Sequence, residues 1–233
     1  MIGILNAYHF DATPGNYQES YDSLIIDFVQ KIFPREKVYN YKVALGEWPK
    51  SVNECQAWFI TGSAKSAYES DSWILKLKRF INETEQQKIK LIGICFGHQI
   101  IAQALGGSVE KSSKGWGVGI KDFEIIQNQN WMQPAQKKLS LLFSHQDQVV
   151  KLPPQAVLLA QDSFCPNQMF QIGQHILTLQ GHPEFDVQFA KARLISRKEK
   201  VEPETYQIAM NSFNRPKDNQ IFCEWIRRFV GDV

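Results

Sequence analysis

The fold is decided by residues 91–99, which read Leu91-Ile92-Gly93-Ile94-Cys95-Phe96-Gly97-His98-Gln99. The apolar run up to Ile94 predicts a buried strand, and the apolar spacing over residues 100–105 predicts a helix directly after it. Cys95 falls in the turn between them, where the two flanking glycines remove side chains that would block it. A helix N-terminus favours a thiolate and points backbone N–H groups at a developing oxyanion. The stretch therefore predicts a nucleophilic thiol.

A second segment strengthens this prediction: residues 177–185 read Leu177-Thr178-Leu179-Gln180-Gly181-His182-Pro183-Glu184-Phe185. Residues two apart in an extended chain project to the same side, so Glu184 can hold the ring of His182. A nucleophilic thiol needs such a base and its orienting carboxylate. Taken singly, a buried cysteine is more often a small apolar filler, and a histidine at a strand end is more often structural. Their joint occurrence favours a Cys-His-Glu triad.

In α/β-hydrolases the acid of the triad precedes the histidine in the chain, whereas here Glu184 follows His182. The order of the residues therefore does not match the α/β-hydrolases. The pattern Gly-x-Cys-x-Gly-x-Gln of residues 93–99, with the later His182-x-Glu184, resembles the class I (triad-type) glutamine amidotransferases. The resemblance implies that Cys95 is the nucleophile, His182 the base and Glu184 its orienting acid. It implies hydrolysis of the γ-amide of glutamine through a γ-glutamyl thioester, with release of glutamate and ammonia.

The same resemblance suggests an oxyanion hole and a substrate-binding segment. Many family members carry Gly-Gly-Pro in a loop after the third strand, where this chain has Gly62-Ser63-Ala64. We assign the oxyanion hole to the backbone amides of Ser63 and Phe96, with Gly62 permitting the turn. The family's Ser-His-x-Asp-x-Val segment matches residues 144–149, which begin Ser144-His145-Gln146-Asp147. By resemblance, the backbone of this segment and the side chain of Gln99 hold the α-amino and α-carboxylate groups of the substrate.

Residues 63–68, 71–74 and 114–119 are similar to a stand-alone branch of the family. That branch includes GMP-synthase-like amidotransferases and the plant γ-glutamyl peptidases. Three functions stay open: a glutaminase subunit that serves a synthetase in trans, an autonomous γ-glutamyl peptidase or hydrolase, and a non-catalytic binding module. The chain has no P-loop-like sequence for ATP. Trp116, flanked by glycines, is more simply a packing residue than a ligand contact.

Composition sets further expectations. The 233 residues, 43% hydrophobic with a net charge of +2, suit a single α/β domain over residues 1–233 and give no case for nucleic acid or membrane. The four cysteines show neither paired metal spacing nor a disulfide pattern. The half-reaction that the family resemblance implies needs no metal and no organic cofactor, so we expect neither. A nucleophilic thiol fits a reducing cytoplasm. Arg197, Lys198 and Lys200 alternate with Glu199 and Glu202, which predicts a solvated helix face. His9 and His175 receive no assignment.

The order of predicted elements gives the fold class. Strands are predicted over residues 1–8, 38–43, 57–60 and up to Cys95, with helices over residues 17–32 and 73–81, and Gly106-Gly107 ending the helix after Cys95. Short strands follow over residues 117–126, 139–143, 157–160, 169–172 and 176–179, and then helices. Alternating strands and helices predict an α/β, doubly wound, mostly parallel, flavodoxin-like sheet with additional short strands. The site is expected at the carboxyl ends of the strands.

Overall fold

A computed structural model describes residues 1–8 and 17–231. The helices are α1 (Tyr17–Ile32), α2 (Ser72–Gln86), α3 (Phe96–Ala104), α4 (Val187–Ser196), α5 (Pro203–Ser212) and α6 (Asn219–Val230). The strands are β1 (Ile2–Leu5), β2 (Val38–Tyr41), β3 (Ala57–Ile60), β4 (Lys90–Ile94), β5 (Ser108–Lys111), β6 (Gly117–Ile125), β7 (Lys138–His145), β8 (Asp147–Lys151), β9 (Ala156–Gln161), β10 (Met169–Ile172) and β11 (Ile176–Leu179). Short 3₁₀ turns lie at Val43–Leu45, Val52–Glu54 and Lys198–Lys200.

Within the described residues, the main sheet has nine strands in the order β2-β1-β3-β4-β11-β10-β9-β6-β7. The strands from β2 to β11 in this order run parallel, and the remaining ones extend the sheet by antiparallel pairing. The predicted α/β class with its large parallel sheet is confirmed. Strands β6, β7, β9 and β10 form the antiparallel extension, and β10 turns back onto β11 through residues 173–175.

Helices cover both faces of the sheet, as a parallel sheet with apolar side chains on both sides requires. On one face α2 and α3 pack through residues such as Leu77 and Ile101. On the other face α1, α4 and α6 pack through residues such as Ile25, Leu194 and Trp225. None of the helices in the described ranges combines the length and the apolarity that crossing a bilayer requires.

Two strands were missed by the sequence analysis, β5 and β8, which pair antiparallel as a small separate sheet. Only Val109 of β5 is buried, so that strand carries too few apolar side chains for a clear alternating pattern. The helix after Cys95 ends as predicted: Gly106 has φ 94°, and the amide of Gly107 bonds to the carbonyl of Ala102 at 2.8 Å.

The parallel half of the sheet positions the candidate site. Neighbouring strands β3, β4 and β11 end almost level, because Ile60 pairs with Gly93 and Leu179 pairs with Ile94. The chain segments that follow them therefore meet at one edge of the sheet. These segments carry Ser63, Cys95 and His182, as the rule for strand carboxyl ends predicts.

Candidate active site

Cys95 occupies the turn between β4 and α3 in a strained backbone conformation. Its φ is 53°, a region that residues with a side chain rarely adopt. The turn is held from both sides, since the Cys95 amide donates to the Leu179 carbonyl at 2.8 Å and the Gly97 amide donates to the Thr61 carbonyl at 3.0 Å. The strain is therefore supported by bonds to both neighbouring strands.

The glycines on either side of Cys95 are required by close contacts. A Cβ on Gly93 would lie 2.7 Å from the backbone oxygen of Gly97, and a Cβ on Gly97 would lie 2.2 Å from the backbone oxygen of Ile60. Because the nearest obstacles include main-chain atoms, neither position has room for a side chain. The Gly-x-Cys-x-Gly spacing is thus a packing requirement of the strand-to-helix turn.

His182 and Glu184 are brought together as the sequence predicted. The imidazole Nδ1 lies 2.7 Å from Oε1 of Glu184, and both side chains are buried. The His182 amide also donates to the Leu142 carbonyl at 2.7 Å, which ties the segment to β7. The ring of Phe185 stacks on the imidazole with centroids 3.9 Å apart and an interplanar angle of 11°. These contacts fix both the position and the tilt of the imidazole.

The charge of this pair follows from opposing effects. Burial by itself lowers the pKa of His182, but the negative charges of Glu184 and Cys95 outweigh burial and raise it to about 10. A hydrogen bond between His182 and Cys95 acts in the same direction. The site can therefore hold a protonated imidazole beside the thiol at neutral pH, which is the arrangement that keeps a thiol reactive.

A tyrosine from α1 also reaches the carboxylate. The hydroxyl of Tyr21 donates to Oε1 of Glu184 at 3.3 Å, and its ring stacks on Tyr8 with centroids 4.1 Å apart. Burial, and then the charge of Glu184, raise the pKa of Tyr21 well above its usual value, so it stays a donor. The sequence analysis predicted the helix over residues 17–32 but not this contact, because helical spacing alone does not report what a hydroxyl contacts.

The loop after β3 lies against the same residues, and Ser63 lines the cavity that also contains Cys95. Gly62 does not have a positive φ, so its backbone conformation does not by itself require a glycine. A Cβ on Gly62 would instead lie 3.1 Å from Cε1 of His182 and 3.8 Å from Cβ of Cys95. The glycine therefore provides clearance for the imidazole.

Phe96 is the first residue of α3, with its ring 5.7 Å from that of Trp73. The amides of Ser63 and Phe96 remain predicted oxyanion donors.

The predicted substrate-binding residues line the same cavity: Gln99, Ser144, His145, Gln146 and Asp147. The amide nitrogen of Gln99 donates to the Asp147 carbonyl at 2.7 Å and to Oε1 of Gln180 at 3.0 Å. The first bond ties α3 to the start of β8, and the second ties α3 to the residue that follows β11. The Asp147 carboxylate accepts a long 3.4 Å bond from the hydroxyl of Tyr68, which is 47% exposed at the rim. Whether these residues contact a substrate stays a prediction.

The other buried histidines are neutral. Burial lowers the pKa of His98 and of His145 to about 3 in each case. Nδ1 of His98 lies 2.8 Å from the Thr178 hydroxyl, and Nδ1 of His145 lies 3.1 Å from the Asp147 carbonyl. Both therefore stabilise local packing. His175 is buried near Glu85, at 3.7 Å, and His9 lies outside the described residues.

The cavity above Cys95 has a volume of about 410 Å³ and is partly basic. Arg197 was predicted to belong to a solvated helix face, and this is wrong. It is half-buried, its Nη1 donates to Oγ of Ser144 at 2.8 Å, and its guanidinium lies 5.0 Å from the ring centroid of Trp116. Burial, and then the charge of Arg193, lower its pKa to about 10. A mixed-charge sequence does not reveal this position, because Ser144 and Trp116, which contact Arg197, come from distant parts of the chain.

The side chains that commonly ligate metals are scattered over the molecule. Among the residues that the structure describes, no group of three His, Cys, Asp or Glu side chains is arranged to hold a metal ion. The four cysteines are free thiols, and Cys95 is the one that lines the cavity.

Comparison with known proteins gives the family. Residues 16–200 match the model of the glutamine amidotransferase class-I family. The chain belongs to this family. The class-I amidotransferase fold is also the fold of a glutamine amidotransferase crystal structure from Thermotoga maritima, which matches with a TM-score of 0.78 at 18% identity, over 99% of this chain and 98% of that chain. The resemblance based on the sequence motifs is therefore confirmed.

Two curated relatives of this class-I amidotransferase carry the names of hydrolytic enzymes. The chain is 33% identical over 156 residues to gamma-glutamyl peptidase 3 of Arabidopsis thaliana, and the match covers 63% of this chain and 62% of the plant protein. It is 32% identical over 108 residues to a subunit of the glutamine-hydrolyzing GMP synthase of Pyrococcus furiosus, covering 46% of this chain and 57% of that protein. The chain thus spans less than two thirds of the length of each of these two relatives.

Proposed function

We propose that this protein hydrolyses the γ-amide of glutamine through Cys95, His182 and Glu184 and releases glutamate and ammonia. The observation that carries the proposal is the buried 2.7 Å bond between His182 and Glu184. It lies at the edge of the sheet where Cys95 adopts its strained turn. A cysteine that served only as core filler would need neither a supported positive φ nor a charged imidazole beside it.

The reaction runs in two halves. The Cys95 thiolate attacks the γ-carbonyl carbon, and the amides of Ser63 and Phe96 stabilise the tetrahedral oxyanion, each by about 3–4 kcal/mol at sites of this type. The protonated His182 gives its proton to the departing ammonia, which leaves a γ-glutamyl thioester on Cys95. His182 then takes a proton from water, the resulting hydroxide attacks the thioester, and glutamate leaves as the thiolate re-forms. Glu184 keeps the imidazole oriented in both halves.

A second candidate, an autonomous γ-glutamyl peptidase, uses the same acyl half and a different leaving amine. The name of the plant relative, a gamma-glutamyl peptidase, favours it. The cavity of about 410 Å³ over Cys95 lies within the roughly 300–1,000 Å³ of small-molecule sites, which suits a dipeptide as well as glutamine. The peptidase candidate therefore needs no change in the roles of Cys95, His182 and Glu184.

A synthetase partner would distinguish the two candidates. The archaeal relative is named as one subunit of a glutamine-hydrolyzing synthase. By analogy, a glutaminase subunit of this type passes its ammonia to a separate synthetase chain and turns over slowly alone. A peptidase needs no such partner.

The test measures ammonia release from glutamine and glycine release from γ-glutamylglycine, with wild type and Cys95→Ser. The near-isosteric change is expected to lower turnover by several orders of magnitude while leaving the melting temperature close to that of wild type. Cys223→Ser, a thiol on α6, is the matched control and is expected to retain full activity.

The pattern of results selects one function. Cys95-dependent cleavage of the dipeptide without a partner establishes the peptidase. Slow turnover of both substrates, with Cys95 still alkylated by a glutamine-analogue electrophile, establishes a glutaminase that serves a synthetase. Absence of both turnover and alkylation would leave a binding module that has kept the fold, and the proposal would be abandoned.

A further inference from the structure

Among the described residues, Arg197 is a cation of the cavity without a carboxylate partner. No Asp or Glu in residues 1–8 or 17–231 forms an ion pair with it. Lys65, on the opposite loop, differs because it pairs with Glu69 at 3.1 Å and with Asp71 at 3.0 Å. A half-buried guanidinium without a counter-charge is costly, since desolvation is not offset by an ion pair.

In the part of the chain that the structure describes, the direct contacts of Arg197 are with neutral partners, and they fix its position. Ser144 accepts one of its N–H groups at 2.8 Å, and the ring of Trp116 lies at 5.0 Å. A hydroxyl and an aromatic face are neutral partners that orient the planar guanidinium. Its other N–H groups stay suited to the two oxygens of a carboxylate. Arg197 lines the same cavity as Cys95, so such an anion would be part of the substrate.

We propose that Arg197 binds a carboxylate of the substrate in the cavity above Cys95. This rests on the proposed γ-glutamyl chemistry, because every γ-glutamyl compound carries an α-carboxylate and a γ-glutamyl peptide carries a second carboxylate on its leaving group. The α-carboxylate fits better. Arg197 contacts Ser144, and the carboxylate of Asp147 lines the same cavity as a counterpart for the α-amino group. A cation and an anion that line one cavity suit the zwitterionic end of a glutamyl group.

The experiment compares wild type with Arg197→Gln and Arg197→Lys on three substrates. These are γ-glutamylglycine, γ-glutamylglycinamide, which lacks the leaving-group carboxylate, and 4-aminobutanoylglycine, which lacks the α-carboxylate. Lys198→Gln is the matched control, because Lys198 is a neighbouring cation that lies near the Tyr206 ring, at 5.9 Å, and does not line the cavity. Melting temperatures show that each variant is folded.

Arg197→Gln is expected to lower kcat/KM for γ-glutamylglycine by about 10- to 100-fold, mainly through KM, and Arg197→Lys to recover part of it. If Arg197 binds the α-carboxylate, Arg197→Gln lowers kcat/KM for γ-glutamylglycinamide by the same factor and leaves kcat/KM for 4-aminobutanoylglycine unchanged. If Arg197 binds the leaving-group carboxylate, Arg197→Gln leaves kcat/KM unchanged for γ-glutamylglycinamide alone. Unchanged kinetics, or an equal loss on all three substrates with KM unchanged, would overturn the assignment.

A binding measurement separates this inference from the proposed function. Calorimetry measures the affinity for L-glutamate of Cys95→Ser and of the double variant Cys95→Ser with Arg197→Gln. This measurement does not depend on turnover. Loss of at least about 10-fold in glutamate affinity in the double variant supports Arg197 even if no substrate is hydrolysed. Equal affinity in the two proteins counts against Arg197 even if the hydrolase activity is established.

Discussion

At the scale of single residues, the centre of the site is a buried pair of His182 and Glu184. Glu184 and His182 are both buried, and their charges stabilise each other there more than in water. The carboxylate has a second donor in the Tyr21 hydroxyl, from an element distant in sequence. Position and protonation state of the imidazole therefore depend on residues from two separate parts of the chain.

Replacing Glu184 with Gln keeps the shape of the side chain and removes its charge. The pKa of His182 should fall from about 10, and kcat should drop by between about 10²- and 10⁴-fold, the usual weight of acid–base catalysis. Steady-state kinetics of glutamine or γ-glutamylglycine hydrolysis measures the loss. Activity within twofold of wild type would show that the carboxylate does not orient the base.

The raised pKa of His182 predicts that stability depends on pH, and Glu184→Gln tests this. His182 has a folded-state pKa of about 10, raised above the unfolded value of about 6.5. Its contribution to stability is thus fully present below about pH 6.5 and is lost as the pH rises through about 10. Raising the pH from about 7 to 10.5 should lower the melting temperature of wild type more than that of Glu184→Gln. Parallel changes in the two proteins would contradict the raised pKa.

Tyr21→Phe removes the hydroxyl and keeps the ring that stacks on Tyr8. Loss of one hydrogen bond, worth about 1 kcal/mol, should lower kcat about fivefold with KM unchanged. Tyr39→Phe, at an exposed position on β2, is the control and should have no effect on kinetics. A change confined to KM would mean that Tyr21 acts on the substrate and not on Glu184.

At the scale of elements, the turn between β4 and α3 depends on the close approach of the helix to β3. Gly97→Ala would place a methyl group 2.2 Å from the Ile60 carbonyl oxygen, so the start of α3 must move. We expect a loss of about 1–3 kcal/mol in stability and loss of Cys95 alkylation by a glutamine analogue. Gly46→Ala is the comparison. Gly46 has a φ of 89°, which strains an alanine, but the added Cβ would have no atom within 4 Å. Gly46→Ala should destabilise by about 1–2 kcal/mol yet keep full alkylation.

At the scale of the whole molecule, much of the fold is predictable because local patterns and the final topology agree. The apolar run before Cys95 and the glycines around it predict the strand, the turn and the helix, and all three are observed. The small β5–β8 sheet was missed because its strands bury little apolar surface. Arg197 was assigned to the surface because a charged helix sequence does not reveal that Ser144 and Trp116 pack against it. Contacts between distant elements account for what the sequence left undetermined.

The insertion of β11 between β4 and β10 closes the site over a long sequence separation. Pairings of this kind form late, because the closure entropy of the intervening chain must be overcome first. During refolding from urea, the helical circular dichroism signal should therefore recover before Cys95 becomes reactive towards a glutamine analogue. Recovery of both signals at one rate would show that β11 pairs together with the helices.

The order of the strands in the chain also determines when the parts of the site are made during translation. Synthesis proceeds from the N-terminus at roughly 5–20 residues per second, so Cys95 is made before the segment that carries His182 and Glu184. On the proposed mechanism, the thiol gains its activating imidazole only after β11 and the segment that follows it have been made. Reactivity of Cys95 towards a glutamine analogue would then report that the residues up to Glu184 have been synthesised and folded.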